Sequence, residues 1–203
     1  MPILFAITTL LLQACDKDDE GNVPPVLSDL VEIETGGDKN VVAIITDDGI
    51  RWKLNHSIMT NVADSVLRCL CTYNISENGR LNVYSIKGVF SDIPHPVRKF
   101  KSTPTDPMKF ISSWKSGGYL NLHLGLMTTG NGGHKYAFAA DTTMQNEQGQ
   151  TIAYFTLLHE RNAKDAESYT EDKYFSMPLR DYADCDSLVM RINTYDGIKT
   201  VRL

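Results

Sequence analysis

The chain of 203 residues lacks almost everything by which enzymes and nucleic-acid binders announce themselves. It holds no Gly-x-Ser-x-Gly elbow, no His-Glu-x-x-His helix, no phosphate-cradling glycine loop and no dinucleotide fingerprint. His159-Glu160 has no second histidine at zinc-hydrolase spacing, and the five histidines are dispersed. The expectation is a protein that is not an enzyme and carries no cofactor. Positive charge is sparse as well. Twenty Lys and Arg lie among twenty-five Asp and Glu, giving a formal net charge of −5 without the basic stripe that nucleic acid requires. No segment beyond the N-terminus has the apolar length of a membrane helix, and none keeps a helical apolar stripe for three turns. A period of two prevails, so the expected fold class is all-β.

Cysteine is rare but informative. Of the four, Cys15 closes the run Leu12-Gln13-Ala14-Cys15 at the end of an apolar stretch, and Asp16-Lys17-Asp18-Asp19-Glu20 follows at once. An apolar core of about ten residues with small residues before a cut site describes a secretory signal, too short to span a bilayer. A Cys at the cut position resembles the lipobox of bacterial lipoproteins. That resemblance implies a signal peptide over 1–14 and a diacylated Cys15 as the new N-terminus, anchoring the protein to a membrane of the cell envelope. Each acyl CH₂ buried in lipid adds roughly 0.8 kcal/mol, so two or three chains hold durably. Removal of residues 1–14 from the 203 would leave 189, with 15–25 as an acidic tether. The acidic run also resembles the surface-export signal of Bacteroidetes lipoproteins, which implies an outer-membrane, surface-exposed location. Cys69, Cys71 and Cys185 remain, an odd number that leaves at least one free thiol. Cys69 and Cys71 share a strand face with Leu67, Tyr73 and Ile75. They read as buried apolar thiols rather than a bridge or a zinc site.

The strands fall into two groups. Val31 to Thr35 alternates, Gly36-Gly37-Asp38 turns into Val41 to Thr46, and Asp47-Asp48-Gly49 signals a hairpin before Ile50 to Leu54. Val66 to Ile75 and Leu81 to Phe90 follow, joined by Asn78-Gly79. Five such strands fit a small barrel of the OB type over 26–97. Pro94, Pro96, Pro104 and Pro107 then punctuate a connector. Beyond it Met108, Phe110, Ser112 and Trp114 alternate into Gly117-Gly118, and Leu120, Leu122, Leu124 and Leu126 make a one-sided strand. The later short strands complete a β-sandwich over 98–203.

This layout, together with Asp47-Asp48-Gly49, the run Ser113-Trp114-Lys115-Ser116-Gly117-Gly118-Tyr119-Leu120-Asn121-Leu122 and the late Asp186-Ser187-Leu188, resembles the NigD-like lipoproteins of Bacteroidetes. Lys115 and Ser116 depart from the pattern, which has an apolar residue and Gly there. The resemblance implies an OB domain followed by a sandwich, at the cell envelope. It carries no catalytic motif and no functional residue to transfer. The family takes its name from a protein encoded beside a bacteriocin and proposed as its immunity factor, which makes bacteriocin immunity one implied role. A glycan- or protein-binding role is the other. For binding, the residues singled out are Tyr119, Asn121 and His123, which share the non-leucine face at about 7 Å spacing, and Trp114 beside them. If a second sheet covers that face they are core and corner residues; if it is open, it suits a glycan or an extended peptide.

Overall fold

The alternation of Val31 and Ile33 with Glu32 and Glu34 becomes the first strand of a computed structural model that describes residues 24–130 and 132–203. The expected signal over 1–14, the lipid site Cys15 and the tether up to residue 23 lie outside the described residues. Five strands build the N-terminal unit: β1 (Leu27–Thr35), β2 (Val41–Thr46), β3 (Arg51–Trp52), β4 (Val66–Ile75) and β5 (Leu81–Gly88). Their order is β3-β2-β1-β4-β5, with every ladder antiparallel. A single parallel bridge from Leu54 to Leu81 draws the two edges together, so the sheet curls into an OB-like barrel that is pinned at one point rather than laddered shut. Val31, Ile33, Ile44, Cys69, Cys71, Tyr73 and Leu81 fill it. Cys69 and Cys71 are free and buried, and burial pushes both thiols up, Cys71 to about 12.

The rest is a two-sheet sandwich. Its strands are β6 (Phe90–Ser91), β7 (His95–Pro96), β8 (Lys109–Ser116), β9 (Tyr119–Thr128), β10 (Lys135–Gln145), β11 (Thr151–Glu160), β12 (Tyr169–Pro178), β13 (Ser187–Thr194) and β14 (Gly197–Arg202). One sheet runs β14-β13-β11-β10-β7 and the other β6-β12-β9-β8. Leu120, Leu122, Leu124 and Leu126 of β9 point between the sheets onto Phe138, Phe155, Phe175 and Met190. Each such side chain taken from water contributes about 1.5–3 kcal/mol. No helix among the described residues is long and apolar enough to cross a membrane.

Two details differ from the pattern in the sequence. Phe90 does not continue β5: the strand ends at Gly88, and Phe90–Ser91 pairs in parallel with β12. The reason is aromatic packing, since Phe90 sits 5.5–5.8 Å from the rings of Tyr136, Phe138 and Phe175. The chain therefore starts to pair with the sandwich before residue 97, and His95–Pro96 extends its other sheet beside β10. The second detail is a bulge. The register of β8 on β9 slips between Phe110 and Ser112, leaving Phe110 opposite Leu124 but Trp114 opposite Asn121. One extra residue exchanges the faces. Phe110 packs on the sandwich core, whereas Trp114 joins Asn121 and His123 on the opposite, barrel-facing side.

Candidate functional site

The face of β9 away from the leucines is covered at one end by the barrel. On β4, alternation sends Cys69 and Cys71 inward, so Arg68 projects outward toward the sandwich. Its side chain is 2% exposed. A buried guanidinium requires a partner, and Asp47 accepts from Nη1 at 2.5 Å and Nη2 at 2.9 Å. Nε donates to Ser176 Oγ at 3.3 Å and Nη2 to Asn121 Oδ1 at 3.4 Å. The guanidinium lies 4.2 Å above the Tyr119 ring centroid. Ser176 donates to Asn121 Oδ1 at 2.7 Å, Asn121 Nδ2 to Ser116 Oγ at 3.0 Å, and Ser116 to Asp47 Oδ2 at 2.5 Å. The Tyr119 hydroxyl donates to Glu32 at 2.6 Å, and burial together with that bond raises its pKa to about 12. Two β units thus meet at a polar joint centred on Arg68.

Gly117 completes the joint. Its φ is +57°, and a Cβ there would fall 2.2 Å from Asp47 Oδ1. Only glycine satisfies both the left-handed turn and the close approach.

Beside the joint opens a cleft of about 890 Å³. Asp29, Leu30, Asp48, Ile50, Trp52 and Tyr73 line it from the barrel; Trp114, Ser116, His123 and Tyr174 line it from the sandwich. The chain has two tryptophans, and each unit sends one into this cleft. His123 stacks on Tyr174 with centroids 4.3 Å apart. Its Nε2 is buried without a hydrogen bond; Asp172 Oδ1 lies 3.1 Å away but outside hydrogen-bonding geometry. Tyr73 donates to Asp29 at 2.9 Å, and Trp52 Nε1 to Thr46 at 3.3 Å. In the Asp48 turn, the Thr46 hydroxyl and the Ile50 amide hold the Asp48 carboxyl below its usual value.

The four residues expected to bind a ligand therefore divide. Trp114 and His123 face the cleft, whereas Asn121 is fully buried in the joint and Tyr119 is committed to Glu32 and Arg68. Cys15 lies outside the described residues. Arg68 was missed because one Arg in an alternating strand is indistinguishable from a solvated one. Asp47 reads as an ordinary turn residue.

A second polar cluster closes one end of the sandwich. Asp165 accepts from the hydroxyls of Thr128 and Thr129, from the Thr129 amide at 2.7 Å and from His134 Nε2 at 2.6 Å. Those donors hold its carboxyl well below the usual range. His134 Nδ1 lies 2.9 Å from His159 Nε2, and His159 Nδ1 lies 3.0 Å from the Asp106 carbonyl. Both ends of this chain are acceptors, so three filled links need three N–H groups, one more than two neutral imidazoles supply. When all three are made, the pair carries one imidazolium. Burial lowers the His159 pKa. The side chains of His134 and Asp165 are 4% and 0% exposed, so the cluster ties loops together out of reach of a substrate. No group of three His, Cys, Asp or Glu among the described residues is arranged to hold a metal.

A family model for the NigD-like C-terminal β-sandwich domain matches residues 94–203. Among solved structures, a NigD-like immunity protein from Bacteroides caccae is similar at 23% identity and a TM-score of 0.67, over 89% of this chain and 93% of that one. A protein of unknown function from Bacteroides vulgatus gives 16% and 0.65, over 88% and 90%. A candidate lipoprotein from Bacteroides fragilis gives 10% and 0.62, over 89% and 96%. No curated protein matches the sequence.

Proposed function

This chain belongs to the NigD-like family, and we propose that it is a lipid-anchored, non-enzymatic interaction protein of the cell envelope that holds its partner in the cleft between its two β units. The observation that carries the reading is the convergence of Trp52 and Trp114, one from each unit, on a single concave site. Aromatic side chains supply much contact area at small entropic cost and concentrate at binding hot spots. Concave sites between domains are where ligands settle most often. The anchor rests on the run ending at Cys15 and agrees with the fold shared with the Bacteroides fragilis candidate lipoprotein. The outer membrane and its outer surface are the proposed location, by the acidic run after Cys15.

The test has two arms. Cys15→Ala moves the protein from the membrane to the soluble fraction; unchanged partition refutes the anchor. A screen of glycans and peptides against the full-length protein yields ligands whose binding weakens in Trp114→Ala and Trp52→Ala. A ligand indifferent to both substitutions would place the site elsewhere. Bacteriocin immunity is a second reading, favoured by the Bacteroides caccae immunity protein of the same fold. It requires that expression protect a sensitive strain from a co-encoded toxin.

A further inference from the structure

The polar lining of the cleft is unbalanced. Asp29, Asp47 and Asp48 reach it, and no Lys or Arg does. Asp47 is neutralised by Arg68, but among the described residues no ion pair forms with Asp29 or Asp48. Three of the cleft's donors are engaged, Tyr73 on Asp29, Ser116 on Asp47 and the Trp52 indole on Thr46. The imbalance is one of charge: two carboxylates, Asp29 and Asp48, face the cleft with no Lys or Arg in its lining. A neutral sugar would leave both carboxylates without a counter-charge. Around the carboxylates stand Trp52, Trp114 and Tyr174, with Ile50 and Leu27 exposed on the rim. Aromatic faces beside carboxylates favour a cation twice, through charge and through the ring quadrupole. A bare polyamine would leave the apolar rim unused.

We infer that the cleft takes an amphipathic cationic peptide segment, its ammonium or guanidinium groups against Asp29 and Asp48 and its apolar side chains on Trp52, Trp114 and Tyr174. This rests on the reading of the cleft as the binding site. The two tryptophans are the chain's own fluorophores, so binding is read as a change in their emission. The probe is a hexapeptide alternating Lys or Arg with Phe or Leu, added to the full-length protein. Its controls replace the basic residues by Glu or by Gln. The basic peptide is expected to bind and to weaken with added salt. Asp29→Asn/Asp48→Asn, checked for an unchanged melting temperature, should lose about tenfold in affinity while keeping the apolar contacts. Equal binding of the Gln or Glu peptide, or full affinity in the Asn double variant, overturns the cationic class and leaves the cleft standing as a site. Binding of the basic peptide that survives Trp52→Ala and Trp114→Ala overturns the cleft itself. No binding of any of the three peptides overturns the inference, and the glycan arm of the screen then decides whether the cleft binds at all.

Discussion

Replacing Arg68 by Met tests how the two units are joined. The substitution keeps the side chain's length and removes its charge and donors. Arg68 is nearly inaccessible, whereas Asp47 is 21% exposed and keeps the Ser116 hydroxyl. Asn121 Oδ1 keeps the Ser176 hydroxyl, so it is not orphaned. Breaking a buried ion pair by removing one partner costs 3–5 kcal/mol, and the support left to Asp47 puts this variant near the lower end, about 3 kcal/mol. For a chain of this size that lowers Tm by roughly 6–12 °C. Asp47→Asn is expected to cost at least as much, because it strands the less accessible charge. The double variant should cost less than the two summed, with a coupling of about 1–3 kcal/mol. Denaturant unfolding at constant m-value measures all three. A loss below about 1 kcal/mol for Arg68→Met, the scale of an exposed pair, would refute the description of this contact as a buried joint.

Gly117→Ala should destabilise by roughly 1–3 kcal/mol and displace Asp47, since it adds both a left-handed penalty and a clash; wild-type stability in a thermal melt would contradict this. Cys69 and Cys71 should resist a thiol reagent until the protein unfolds, whereas half-buried Cys185 should label first, as read by mass spectrometry. Acid should weaken the sandwich in two stages. His159 is lowered, so its contribution is whole above its unfolded value of 6.5 and declines as pH falls through its folded value. Asp165 is lowered too, so its contribution persists until pH drops below 3.8 and is lost further down. Stability measured against pH should show both stages, and His159→Gln should flatten the first.

The pattern of two carried much of the fold. Alternation around Val31, Cys69 and the β9 leucines marks buried faces in any context, because the pleat dictates them. The bulge near Ile111 was not legible: no glycine or proline signals it, and it alone turns Trp114 from the core face to the cleft. Phe90 likewise looks like a strand residue of the barrel until the aromatic cluster of the sandwich is assembled around it. The prolines read as a connector are pinned in place, with the Pro104 carbonyl accepting from the His159 amide. The joint and the Asp165 cluster depend on residues far apart in sequence, Arg68 with Asn121 and Ser176, Thr128 with Asp165, and no local spacing announces such meetings.

That Trp52 and Trp114 belong to one binding site can be tested with 5-fluorotryptophan in the full-length protein. The chain's two tryptophans give two ¹⁹F resonances, assigned by Trp52→Phe and Trp114→Phe. On titration with the basic hexapeptide both resonances should shift together and fit a single Kd. Movement of only one, of neither, or of the two with separate Kd values would contradict a shared cleft.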